Sequence, residues 1–136
     1  MSDALEDPVP AGQRGLPTIL VVEDEPLVRM FACDVLEDSG YNVLVAANAR
    51  EALALALVCS DLAALFTDID MPGDLDGIAL ARRLAQEKPG IPVLVTSGVG
   101  LVGRELPPGA RFLGKPYSAS RLLDLLSKVL DRPTSS

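Results

Sequence analysis

The chain has 136 residues, 49% of them hydrophobic and 23% charged, with a net charge of -7 and no histidine. That length and apolar fraction fit one folded domain with its own core and argue against disorder. The absent imidazole excludes Ser-His-Asp and Cys-His catalysis, histidine-ligated zinc and a phosphohistidine formed on this chain, and the acidic balance disfavours a nucleic-acid surface, which needs basic groups to neutralise phosphates.

Residues 1–17 mix Pro, Gly, Asp and Glu without periodicity and read as a solvated leader. They lack the basic and apolar regions of a signal peptide. A first strand spans Thr18 to Val22. Glu23, Asp24 and Glu25 follow, Pro26 suits the first turn of a helix, and Leu27, Met30, Phe31 and Val35 form its apolar face, with Gly40 closing it. The second strand is Asn42 to Ala46. Asn48-Ala49-Arg50-Glu51 then opens an Ala/Leu helix with a cap residue and a Glu three positions on. Its run Ala52 to Cys59 is the longest apolar stretch, far short of a membrane span.

The third strand, Ala63 to Thr67, leads into Asp68-Ile69-Asp70-Met71-Pro72. Asp74 and Asp76 read as turn and cap residues before a helix from Gly77 to Glu87, which Lys88-Pro89-Gly90 ends. The fourth strand, Pro92 to Val95, precedes Thr96-Ser97-Gly98, and the fifth, Arg111 to Leu113, precedes Gly114-Lys115-Pro116. A last helix runs from Ser118 to Leu130, with 132–136 a short tail. Cys33 and Cys59 form no CxxC pair and read as small buried hydrophobes in a reducing compartment, so a soluble cytoplasmic domain without membrane contact is expected.

Apolar strands alternating with helices predict an α/β domain, a doubly wound parallel sheet covered on both faces. In such sheets functional residues gather beyond the carboxyl ends of the strands. There the chain sets Glu23, Asp24, Asp68 and Asp70 beside Thr96 and Lys115. Converging carboxylates must protonate, pair with cations or share a divalent metal, and oxygen ligands suit Mg²⁺. One hydroxyl and one ammonium complete a site suited to a phosphoryl group on a carboxylate.

These residues fall in four ordered motifs, IleLeuValValGluAspGlu (19–25), PheThrAspIleAspMetPro (66–72), ValThrSerGly (95–98) and LysPro (115–116). Over 18–131 the chain closely resembles the receiver domain of two-component response regulators. The resemblance implies a flavodoxin-like five-stranded sheet in the order 2-1-3-4-5. It makes Asp68 the phosphoacceptor, attacking a phosphohistidine on a partner histidine kinase or phosphotransfer protein. Glu23 and Asp24 become the acidic pair that holds Mg²⁺ or Mn²⁺ together with Asp68 and the backbone carbonyl of Asp70. Thr96 becomes the hydroxyl that moves onto the phosphoryl group, Lys115 its cation, and Phe112 the aromatic switch residue. The Lys115-Pro116 peptide is expected to be cis. The domain would act as a switch rather than an enzyme, assisting only its own phosphorylation and dephosphorylation. Its output would be a downstream protein bound at the face of the fourth-helix segment, the fifth strand and the last helix, or phosphate passed on in a relay. The starting Met and the complete domain suggest a stand-alone regulator.

Two departures from the family pattern stand out. The loop Gly73-Asp74-Leu75-Asp76-Gly77 is one residue longer than usual, and only 18 residues, rich in Gly and Pro, separate Thr96 from Lys115. A fourth helix is therefore shortened to about two turns near Leu101 to Leu106 at most, or is mobile. The last helix carries Leu122, Leu123, Leu125, Leu126, Val129 and Leu130, which suits either a homodimer or partner surface or a broad core face. Two other functions compete: a receiver-like scaffold that works without phosphorylation, and a phosphatase resembling the haloacid dehalogenases, with Asp68 as nucleophile and Asp70 as acid/base.

Overall fold

The computed structural model describes residues 15–101 and 103–130. The expected tail and all of the expected leader except its last three residues lie outside the described residues. In chain order the elements are β1 (Thr18–Val22), α1 (Pro26–Asp38), β2 (Asn42–Ala46), α2 (Ala49–Val58), β3 (Leu62–Asp68), α3 (Gly77–Glu87), β4 (Val93–Ser97), β5 (Arg111–Gly114) and α4 (Ala119–Leu130). The five strands pair in parallel in the order β2-β1-β3-β4-β5, the predicted doubly wound sheet. Leu16 and Pro17, read as leader, already belong to its margin, because their carbonyls accept from the side chain and backbone of Asn42.

Alternation along each strand sorts the core into two layers. Leu20, Val22, Leu65, Val93 and Val95 face α2 and α3, where Ala49, Ala52, Ala56, Leu80, Ala81 and Leu84 meet them. Ile19, Val21, Ala64, Phe66 and Leu94 face α1 and α4, meeting Ala32, Leu36, Leu122, Leu125, Leu126 and Val129. Local chemistry sets the helix starts. Asn48 Oδ1 accepts from Glu51 N–H while Glu51 Oε1 accepts from Ala47 N–H, and Asp76 Oδ1 accepts from Ala79 N–H.

Three features of the structure differ from the sequence reading. On α1, Leu27, Met30 and Phe31 are 79%, 59% and 41% exposed, whereas Ala32 and Leu36 are the buried residues. Apolar side chains occupy most of this helix's circumference, so periodicity could not choose the buried stripe. Between β4 and β5 no helix forms among the described residues, not even the two turns allowed at Leu101 to Leu106. Gly100, Gly103 and Gly109 take positive φ there, which breaks helical propagation, yet Leu101, Leu106 and Ala110 still pack on the core. The cysteines are half-buried and unpaired rather than buried, and Cys59 caps the end of α2. Burial, with Glu37 and Asp34 nearby, pushes the Cys33 thiol up to about 11, which suits an unreactive side chain.

On α4 the structure favours a core face. Leu122, Leu125, Leu126 and Val129 are buried, and Leu123 and Leu130 pack partly buried against the same layer. No helix among the described residues is long and apolar enough to cross a membrane.

The start of α3 approaches the end of β3 so closely that only glycine fits. A Cβ on Gly77 would lie 2.0 Å from the Asp68 carbonyl oxygen and 2.8 Å from Ile69 Cα, all backbone atoms. Gly77→Ala should therefore lower the unfolding free energy by about 1–3 kcal/mol, read from the midpoint of urea denaturation. An unchanged midpoint would show that this contact is slack.

Candidate functional site

The ladder brings the predicted residues together because the strands run further than their apolar stretches. Asp68, Thr96, Ser97 and Gly114, expected just past the strands, are their last residues. Asp68 is in register with Thr96, and Ser97 with Gly114. Ile69 N–H donates to Thr96 O at 2.8 Å, and Lys115 N–H donates to Ser97 O at 3.0 Å. Each side chain at this edge is thus placed by a backbone that cannot slide without breaking the sheet.

Lys115 Nζ lies 2.9 Å from Glu23 Oε1 and 3.1 Å from Asp68 Oδ2, with both carboxylate side chains only 4% exposed. The other oxygen of Asp68, Oδ1, accepts from the Asp70 N–H at 3.1 Å. Burial and the repulsion of Asp68 raise the Glu23 pKa above the usual carboxylate range, with Lys115 acting against the rise. Burial would lower the Lys115 pKa, but hydrogen bonds to Glu23 and Asp68 more than offset it and hold the ammonium protonated. The Lys115-Pro116 peptide is cis, as expected.

Glu23, Asp24 and Asp68 each offer a carboxylate oxygen within 4.8 Å of the others. Hard oxygen donors in that number fit a divalent cation that keeps part of its water shell, so the donor set suits Mg²⁺ or Mn²⁺. Glu25 is not in this group among the described residues. It stands at the N-cap of α1 and donates its N–H to Glu23 Oε2.

Thr96 Oγ1 is buried and has no hydrogen-bond partner among the described residues. A buried hydroxyl left unpaired is costly, and this one belongs to the residue in register with Asp68. Phe112 is half-buried, packed against the α2/α3 layer.

Sequence reasoning left the Asp70 side chain open and missed its partners. Asp70 Oδ2 accepts a short hydrogen bond from Ser97 Oγ, and Oδ1 pairs with Arg104 Nη2 at 2.7 Å. Burial works against ionisation of Asp70, but the Ser97 and Arg104 contacts prevail and lower its pKa. Arg104 is the sole cation between Gly98 and Ala110, a signal that could have singled it out. Tyr117 was also missed. Its ring meets Phe66 at 5.8 Å and Phe31 at 6.0 Å between centroids, linking the core to the exposed face of α1. In the long loop Asp76 is the predicted cap, and Asp74 pairs with Arg50 at the start of α2.

A family profile described as response regulator receiver domain matches residues 19–127. Nitrogen assimilation regulatory protein NtrX of Azorhizobium caulinodans is 34% identical over 119 residues, which cover 83% of this chain and 26% of NtrX. Response regulator receiver protein CpdR of Brucella abortus is 33% identical over 116 residues, 82% of this chain and 95% of CpdR. The crystal structure of the receiver domain from Hybrid Histidine Kinase CckA superposes with a TM-score of 0.74 at 34% identity, covering 84% of this chain and 99% of that domain. The chain thus spans about a quarter of NtrX and nearly the whole of CpdR.

The unpaired hydroxyl makes Thr96 a position where an isosteric apolar residue should be tolerated. Thr96→Val is expected to raise the unfolding free energy by about 1 kcal/mol in urea denaturation. A clear loss of stability would mean that the hydroxyl has a partner in solution.

Proposed function

The chain belongs to the response regulator receiver family, and from that premise we propose that Asp68 accepts a phosphoryl group from a phosphohistidine on a histidine kinase or phosphotransfer protein. The arrangement of Lys115 on Asp68 with the unpartnered Thr96 hydroxyl in register beside it carries this reading. An Asp68 carboxylate oxygen attacks phosphorus. The bond from phosphorus to the partner's imidazole nitrogen breaks with its electron pair leaving on that nitrogen, and an aspartyl phosphate forms. A carboxylate needs no general base for this attack. Lys115 offsets the charge that arrives, and Thr96 Oγ1 donates to a phosphoryl oxygen, gaining the partner it lacks at rest. Glu23, Asp24, Asp68 and the Asp70 backbone carbonyl would hold Mg²⁺ or Mn²⁺, which when bound supplies further neutralisation of phosphoryl oxygens.

The movement of Thr96 toward the phosphoryl group shifts the β4 edge, and Phe112, half-buried in the neighbouring strand, repacks with it. Segment 98–110, β5 and α4 then present the changed face to a downstream protein or a relay partner. The phosphatase alternative asks Asp70 to be an acid. Its carboxylate is engaged by Ser97 and Arg104 and held ionised, the wrong form for that role.

The donor docks on α1. Leu27 and Phe31 leave an exposed apolar face, and with Val28, Gly98, Tyr117 and Lys115, the cation paired with Asp68, they line a groove of about 660 Å³. An apolar patch at the mouth of the site suits a partner that must bring its own histidine to Asp68.

Incubation with acetyl phosphate and Mg²⁺ should add one phosphate by mass, labile to base and absent in Asp68→Ala. An intact, folded wild-type chain that gains no phosphate would sink the reading. Leu27→Asp should slow transfer from a phosphorylated histidine kinase by roughly tenfold, corresponding to one lost apolar anchor, and by much less from acetyl phosphate. Equal slowing with both donors would remove α1 from the docking surface.

A further inference from the structure

The loop that replaces a helix between β4 and β5 sends one side chain back to the phosphorylation site. Arg104 Nη2 reaches Asp70 Oδ1 at 2.7 Å, with the two side chains 30% and 40% exposed. Three further contacts fix the pair in place. The Arg104 N–H closes a turn onto Leu101 O at 2.7 Å, Arg82 Nη2 donates to Glu105 O at 3.1 Å, and Ser97 Oγ donates to the other Asp70 oxygen.

Asp70 has two opposed effects on the acceptor. Its backbone N–H donates to Asp68 Oδ1 and so aims the nucleophile, while its carboxylate adds a negative charge beside a phosphoryl group that is itself anionic. Glu23 and Asp68 already share Lys115, and Asp24 stands close to both. Left without its own ion pair, the Asp70 carboxylate would add repulsion to the incoming phosphoryl group.

We infer that Arg104 is a positioning residue for phosphate acceptance: through its ion pair it neutralises the Asp70 carboxylate and holds it off the incoming phosphoryl group. This rests on Asp68 being the phosphoacceptor. Arg104 acts through Asp70 and does not touch the phosphoryl group. The role follows from the juxtaposition of Asp70 on the loop after β3 with Arg104 on the helix-free segment after β4.

The separation of these effects is testable with acetyl phosphate as the donor and mass spectrometry as the readout, on the full chain with folding checked by circular dichroism. Arg104→Ala is expected to slow acceptance by roughly fivefold, the scale of one screened charge near a dianion. The second variant decides the mechanism. In an Asp70→Asn chain the charge that needed neutralising is gone, so adding Arg104→Ala to it should leave the rate at that of Asp70→Asn alone. A purely structural role for Arg104 in holding the loop would slow both backgrounds alike. Arg104→Ala at the wild-type rate, or an equal slowing by Arg104→Ala in the Asp70→Asn chain, overturns the inference while leaving Asp68 as acceptor. A wild-type chain that takes up no phosphate overturns both.

Discussion

Glu23 and Asp68 are almost wholly withdrawn from water, and one ammonium, Lys115 Nζ, lies within 3.1 Å of both. Two buried carboxylates at such range are tolerated only where a cation or a shared proton offsets them, and breaking a buried pair by removing one partner typically costs about 3–5 kcal/mol. The rest of the architecture serves that triad. Glu23 follows β1, Asp68 ends β3, and Lys115 follows β5, so the pairing of β1 with β3 and of β4 with β5 must be right for the three to meet. A slip of one residue would turn Asp68 to the other face and strand two buried charges.

The same edge is poised because it is incompletely satisfied. Thr96 Oγ1 is buried without a partner among the described residues, Glu23 is held above its ordinary pKa, and three carboxylates crowd within 4.8 Å. Each of these is unfavourable alone; a cation entering the same small volume would relieve the carboxylates, and an acceptor such as a phosphoryl oxygen would satisfy the hydroxyl. Gly77 belongs to this economy of space. Its missing side chain lets the first turn of α3 rest on the Asp68 backbone, with Gly77 N–H donating to Ile69 O at 3.0 Å.

The two ends of the helical layers differ in what they offer a partner. On α4 the leucines are spent on the core, so that helix shows little apolar surface. On α1 the reverse holds, with Leu27 and Met30 largely in solvent and Tyr117 bridging Phe31 to the buried Phe66. A binding event on α1 is therefore two aromatic contacts from the strand that carries Asp68. Between β4 and β5, the segment without a helix keeps the sheet covered through Leu101 and Leu106 and places Arg104 against Asp70.

Much of this was legible in the residues alone. Uninterrupted apolar strands spaced by helix-length segments determined a parallel sheet buried on both faces, and the polar residues that close each strand single out Glu23, Asp24, Asp68, Thr96 and Lys115. Caps such as Asn48 and Asp76 were readable because a cap is a local bond between residues three apart. The apolar stripe of α1, the loss of the last helical turns near Leu101 and the partners of Asp70 were not. Burial of a helix face is decided by what packs on it, and with apolar residues around most of α1 the choice fell to the sheet and α4. Arg104 and Asp70 are 34 residues apart in the chain, and no local pattern links them. Composition and spacing determine which groups a parallel sheet must bring to its edge, since strand period and apolar content act over a few residues. Which of those groups are paired, and which are left waiting, only the tertiary structure decided, because pairing depends on distances that the chain sets after it has closed on itself.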